Sequence, residues 1–244
     1  MSKKPIILPE GFPFILVTFF FGVVLYYMKW YYLAVIPFIV CLYFTYFFRC
    51  PPRNNKIPAG DDTLVSPADG TVVDVSQDVE EDMFLGEKCH KITIFLSIFN
   101  VHCNRAPMEG DIKYQSYTQG RFLPAYKEGV GFVNEQAAIG ITGKKRSILV
   151  ILIAGILARR VVSWKNLGDH LEKGELYGMI KFGSCTELYI PGGCDILVKK
   201  GDKVKGGEVI ALVGKSGNEK DTPHLHFEVW HKGNPVNPAK YVVF

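Results

Sequence analysis

The sequence predicts a mostly-β (α+β) domain preceded by an N-terminal two-helix transmembrane hairpin, and three observations carry that expectation. The first is a pair of uncharged, aromatic-rich runs, residues 12–28 and 30–48, parted only by Lys29. The second is the texture beyond residue 62, where short Val-, Ile- and Thr-rich pieces alternate with Gly, Pro and Asp turns. The third is the Ile- and Val-rich run 148–157, too short to span a bilayer and suited to a central strand.

Each N-terminal run would rise about 26–28 Å as a helix, close to the hydrocarbon thickness of a bilayer. Tyr26, Tyr27, Trp30, Tyr31 and Tyr32 cluster at the turn between them, as suits a membrane interface, and Pro37 is a kink that membrane helices tolerate. A signal peptide would need a shorter apolar core and a small-residue cleavage site, and a buried core helix would not be apolar on every face. Lys3, Lys4, Arg49, Arg53 and Lys56 flank the hairpin, against Lys29 alone at its tip. By the positive-inside rule both ends, and the domain that follows, are expected on the cytoplasmic side of the cell membrane.

The expected divisions are a membrane anchor (1–50), a Pro- and Asn-rich linker (51–62), a mostly-β domain (63–213) and a C-terminal tail (214–244). Thr71–Val75 alternates as a strand after the turn Ser66-Pro67-Ala68-Asp69-Gly70. Residues 91–99 read as a buried strand that delivers Asn100-Val101-His102-Cys103-Asn104-Arg105 into a loop. The polar stretch 164–175 reads as including a short helix, and 196–213 as two short strands about a Gly-Asp-Lys turn. Lys and Arg number 28 against 24 Asp and Glu, an excess that favours a membrane leaflet and is too small for nucleic acid. Six scattered cysteines with no C-x-x-C pair point to reduced thiols rather than a cysteine zinc site.

Taken singly, the polar candidates have bland explanations. Asp69-Gly70 is a strong hairpin turn, a lone histidine such as His102 is usually packed or exposed, and Gly183-Ser184 is ordinary turn chemistry. Arg159-Arg160 reads as a charged strand end. In order, however, the segments SPADG (66–70), NVHCNRAP (100–107), IAGILARRVV (153–162) and MIKFGS (179–184), with Gly120-Arg121-Phe122 and Asn134-Glu135 between them, resemble the phosphatidylserine decarboxylase family in its short bacterial and archaeal form.

That resemblance implies a self-made cofactor. A serine hydroxyl attacks the preceding carbonyl, elimination of the resulting ester gives dehydroalanine, and hydrolysis leaves a pyruvoyl group. Glycine before the serine keeps that carbonyl sterically open. Cleavage is expected between Gly183 and Ser184, giving a large subunit 1–183 and a small subunit headed by the pyruvoyl derived from Ser184. The ketone would then form a Schiff base with the amine of phosphatidylserine in the membrane and accept electrons as carbon dioxide leaves. Asp69 and His102 are the residues implied to assist, by the logic of a carboxylate, an imidazole and a serine. Arg105 stands where longer relatives carry a second histidine and is a candidate contact for a phosphate or carboxylate, as are Arg159 and Arg160. Cys185 departs from the arginine expected of short-form relatives. A homo-oligomer, or another amine-bearing substrate, stays open.

The tail has a different resemblance. Pro223-His224-Leu225-His226-Phe227-Glu228-Val229 resembles the terminus of lysostaphin-like zinc endopeptidases, in which His226 would bind zinc and His224 aid catalysis. Period-two alternation puts both imidazoles on one face of a strand. The other ligands of that family are missing from 51–55, and a zinc site needs about three protein ligands. The expectation is therefore no metal, with a peptidase or its non-catalytic relative as the alternative. The stretch 199–214 looks like a barrel-sandwich hairpin of the lipoyl type, but it lacks the Met-Lys-Met turn of a biotin or lipoyl carrier.

Overall fold

Lys29 ends the first helix in a left-handed conformation, φ +61°, and so sets the tight reversal of the N-terminal hairpin. In the computed structural model, which describes residues 6–53, 57–58, 60–120, 134–155, 160–181, 184–213, 229–231 and 234–236, a 3-10 turn (Pro9–Gly11) leads into α1 (Phe12–Tyr27) and then α2 (Tyr31–Phe47). The Trp30 amide donates to the Leu25 carbonyl and the Lys29 amide to Tyr26, a Schellman closure with lysine in the place usually held by glycine. Phe14 packs on Phe44 and Phe48, and Phe19 on Phe38, whose ring lies against Gly22 where a Cβ would crowd it. The outward faces expose Phe20, Tyr32, Leu33, Ile36, Ile39 and Leu42. Residues Pro9–Tyr27 are long and apolar enough to cross a membrane; Tyr31–Phe47 is slightly shorter.

Beyond the hairpin the chain is β. The strands are β1 (Thr63–Val65), β2 (Gly70–Glu81), β3 (Glu87–Leu96), β4 (Cys103–Arg105), β5 (Gly110–Thr118), β6 (Gln136–Thr142), β7 (Ser147–Ala154), β8 (Val161–Ser163), β9 (His170–Leu171), β10 (Leu176–Ile180), β11 (Ser184–Pro191), β12 (Cys194–Ile196), β13 (Lys203–Val204) and β14 (Val209–Val213). Among the described residues the principal sheet has the order β13-β2-β3-β11-β7-β6-β5-β9, with the smaller sheets β1-β14-β12 and β4-β10-β8 beside it. The order places β11 at the centre, antiparallel to β3 on one side and to β7 on the other. Inward Ile and Leu side chains from β3, β7 and β11 fill the main core, as their long apolar runs dictate.

Three segments differ from expectation, each for a local reason. The strand predicted over 91–99 starts at Glu87 and stops at Leu96, because the Asn100 side chain accepts from both the amide and the hydroxyl of Ser97 and turns the chain. The segment 164–175 forms no helix: Gly168 and Gly174 adopt positive φ, while Asp169 and Glu175 each accept a backbone amide three residues earlier, so it folds as successive turns around β9. In 194–213 the strands flanking the Gly201 turn do not pair with each other. Instead β12 pairs with β14, and β13 reaches across to β2.

The chain divides into two compact units, Met1–Gly214 and Lys215–Phe244. The described part of the second is a small hairpin of β15 (Val229–His231) and β16 (Asn234–Val236).

Candidate active site at one end of the principal sheet

Strand register brings the sequence candidates to one end of the principal sheet. Val204 of β13 pairs with Gly70, Thr71 pairs with Phe95, Leu96 pairs with Ser184, and Ser184 pairs with Ala154. The Ala154 amide donates to the carbonyl of Glu135 and extends the row. Adjacent strands lie about 4.8 Å apart, so the turn bearing Asp69 and the start of β11 are roughly 10 Å apart across β3. Gly70 has to be glycine here, since a Cβ would collide with the Phe95 carbonyl.

Ser184 is the first residue of β11, whereas the preceding strand, β10, belongs to the other sheet with β4 and β8. The junction between Ile180 and Ser184 is thus where the chain changes sheets. Gly183 lies outside the described residues, as do Arg159, His224 and His226.

His102 immediately precedes β4, and its ring is buried. Its Nδ1–H donates to the Asn100 carbonyl at 3.0 Å, which leaves Nε2 as the basic nitrogen. The ring of Phe47 lies 4.2 Å away, centroid to centroid, at a tilt of 35°. Burial lowers the imidazole pKa to about 4; the Asn100 bond opposes this shift and the Arg49 charge adds to it, so His102 is neutral at pH 7. Its carbonyl accepts from the Ile180 amide, and this joins the histidine loop to the end of β10. A second tie involves the fully buried Asn104, which donates to the His102 carbonyl and accepts from Thr186 Oγ1 at 2.9 Å. Thr186 is two residues beyond Ser184, so one side chain couples the serine's strand to the histidine's loop.

Asp69 has a different set of partners. Its carboxylate pairs with Arg53 at 2.7 Å and accepts the Gly206 amide at 2.8 Å. The expected carboxylate–imidazole pairing is thus replaced, at Nδ1 of His102, by a backbone carbonyl. Arg105 lies beside Asp69, with both flanking Gly206. Its guanidinium points into the protein and donates to the carbonyls of Gly174 and Pro51, and desolvation lowers its pKa. A substrate phosphate would have to displace those bonds, so Arg105 serves here as a strut between the linker and β4. An open depression next to the Arg53–Asp69 pair is lined by the cations Arg53, Lys203 and Lys205.

On the far side of Ser184, Asn134 donates to the Ala154 carbonyl and buried Glu135 accepts the Val161 amide. The Tyr117 hydroxyl hydrogen-bonds to the same carboxylate, and the charge of exposed Arg160 acts on that hydroxyl. Sequence reasoning missed Phe47, Arg53, Asn104, Thr186 and Gly206 as parts of this site. The acidic turn at Asp69 called for a cation, but nothing in the sequence pointed to a residue 16 positions upstream.

A pyruvoyl group made from Ser184 fits this position on two counts. It would head β11, so a break before it leaves the ladder from Cys185 onward paired on both sides. The buried base tied to that strand is an uncharged imidazole, whose lone pair is open to accept a proton at neutral pH.

Comparison with known proteins finds matches over most of the chain. The family model described as phosphatidylserine decarboxylase matches residues 41–212. A phosphatidylserine decarboxylase proenzyme of Symbiobacterium thermophilum is 41% identical over 209 residues, covering 85% of this chain and 95% of that protein. A proenzyme of the same name from Carboxydothermus hydrogenoformans is 46% identical over 186 residues, 76% of this chain and 85% of its own.

Proposed function

Because the chain belongs to the phosphatidylserine decarboxylase family, we propose that it is made as a proenzyme, breaks its own backbone between Gly183 and Ser184, and converts phosphatidylserine to phosphatidylethanolamine with release of carbon dioxide. The observation that carries the maturation step is the position of Ser184, at a change of sheet and at the head of a strand locked on both sides. In the precursor, Nε2 of His102 takes the hydroxyl proton of Ser184 as its oxygen adds to the Gly183 carbonyl. The pyruvoyl group supplies an electron-accepting carbonyl for the amine-bearing substrate. His102 is then the residue that returns a proton to the carbon that has lost carbon dioxide.

Arg53, Lys203 and Lys205 face the depression beside Asp69, where an anionic headgroup would find cations. The Asp69–Arg53 pair and the Gly206 amide hold that wall in place. The apolar outer faces of α1 and α2 suit a hairpin that enters the bilayer and returns, leaving the site at the cytoplasmic leaflet where its lipid substrate lies.

The two pieces would stay together after cleavage. Chain 184–244 supplies β11 between β3 and β7, β13 against β2, and β14 against β1, so every one of those strands pairs across the cut. Intact-mass measurement after a denaturing gel tests the proposal. The expected result is two chains, the smaller starting at residue 184 with a blocked, carbonyl-bearing end, that co-migrate on a native column. Ser184→Ala is expected to remain one inactive chain. Normal processing of that variant, or decarboxylation by an uncut chain, would refute the assignment.

A further inference from the structure

Helix α2 reaches further into the site than an anchor requires. Positions 46 and 47 lie three and four residues beyond Tyr43 and so share its face of the helix, and Arg49 follows just past the helix end. Tyr46 Oη donates to the Phe99 carbonyl at 3.2 Å and Arg49 Nη2 to the same carbonyl at 2.9 Å, while Tyr43 Oη reaches the Ile98 carbonyl at 3.5 Å. The Arg49 guanidinium lies 3.6 Å over the Tyr46 ring, which fixes both donors relative to each other. Between them Phe47, fully buried, lies against the His102 ring.

A helix that only docked on the domain would need apolar burial, and a cluster with Leu8, Phe48, Val101, Leu176 and Met179 already provides it. Three polar side chains aimed at two consecutive carbonyls do something else. Those carbonyls lie just past the end of β3, where the sheet no longer satisfies them, and three residues later the chain presents His102. We propose that the end of α2 and the residues just after it are a positioning element of the active site: Phe47 sets the plane and dryness of the His102 ring, and Tyr43, Tyr46 and Arg49 hold the loop that carries it. The role given to His102 rests on the proposed function, while the placement of its ring does not. Among the described groups, Phe47 at the end of α2, Arg49 just beyond it and the Asn100 carbonyl act on the imidazole, and the Ile180 amide and the Asn104 side chain act on its backbone carbonyl.

The experiment has two arms in the full-length membrane-inserted chain. In the first, NMR of ring-labelled histidine follows the His102 titration in the uncut Ser184→Ala protein. Phe47→Leu is expected to admit water and move the midpoint up by about one pH unit or more. Phe47→Tyr, which keeps the ring, should restore it, and Phe38→Leu, remote in the same hairpin, should leave it alone. In the second, the self-cleaved protein bearing Phe47→Leu should show kcat lowered by about tenfold with KM for vesicle-presented phosphatidylserine little changed. The double variant Tyr46→Phe/Arg49→Lys, which keeps the apolar face, should lower kcat in the same direction. Unchanged titration and unchanged kcat in folded Phe47→Leu would overturn the inference. A parent protein without decarboxylase activity would instead defeat the proposed function, and the titration arm would still decide the role of Phe47.

Discussion

Ser184 and His102 are held in place by opposite means. Ser184 begins a central strand whose two neighbours fix it through backbone ladders, so its position follows from register alone. His102 lies outside the principal sheet, and side chains from elsewhere hold it: Phe47 on its ring, Asn104 on its carbonyl, Tyr46 and Arg49 on the loop before it. A ladder tolerates side-chain exchange, whereas a loop held by side chains is only as well placed as each contact. The proposed cleavage point therefore sits on the robust region and the proposed acid–base group on the fragile one. That division suits a protein that must cut itself once and then turn over many times.

The sharpest way to separate the two regions is acid. The folded pKa of His102, about 4, lies below its ordinary value of 6.5, so the unfolded chain takes up the proton first as pH falls. Its contribution is flat above about pH 6.5 and destabilises the fold progressively between 6.5 and 4, by roughly 3 kcal/mol at the limit. Urea unfolding of the detergent-solubilised protein at pH 7, 6, 5 and 4 should show this slope. His102→Gln should lose that part of it, while substitution of exposed His170 should not. Equal slopes in the parent and His102→Gln would mean that the imidazole is solvated and the contrast false.

The Asn104–Thr186 bond joins the two regions directly. Asn104→Ala would leave the Thr186 hydroxyl and the His102 carbonyl short of a partner in a buried site, a cost of about 1–3 kcal/mol. Self-cleavage, followed by gel after synthesis, is expected to slow, because the base and the serine would no longer share a brace. Thr186→Val is expected to be milder, since Asn104 keeps its bond to His102. The reverse order of severity would place the coupling elsewhere.

Much of the sheet was legible because long apolar runs such as 148–157 have few ways to be buried, and β7 occupies most of that run. The strand ends that bear Asp69, His102 and Ser184 were legible too, through the turns and apolar runs beside them. What escaped were long-range pairings of single side chains. Arg53 reads as a linker charge until it meets Asp69, and Gly206 as a turn residue until its amide reaches the same carboxylate. Phe47 was hidden most completely, because in a helix apolar on every face each aromatic reads as lipid-facing. The missing helix in 164–175 has a simpler cause: Gly168 and Gly174 take conformations that break helices, and acidic side chains close the turns locally.

The smallest expected effect lies in the second compact unit, residues Lys215–Phe244. The family match ends at residue 212, and among the described residues the strands that pair across the proposed cut lie before residue 214. His224 and His226 supply two imidazoles at most, short of the three protein ligands that a working zinc site needs, and the sequence upstream of Asp69 offers no third at the spacing a peptidase uses. The full-length double variant His224→Ala/His226→Ala is accordingly expected to cleave itself and decarboxylate at rates within about twofold of the parent, a difference of well under 1 kcal/mol in barrier height. Metal analysis of the purified parent should find zinc far below one per chain. Stoichiometric zinc lost in the double variant, together with slowed turnover, would tie the tail to the chemistry and move part of the site off the principal sheet.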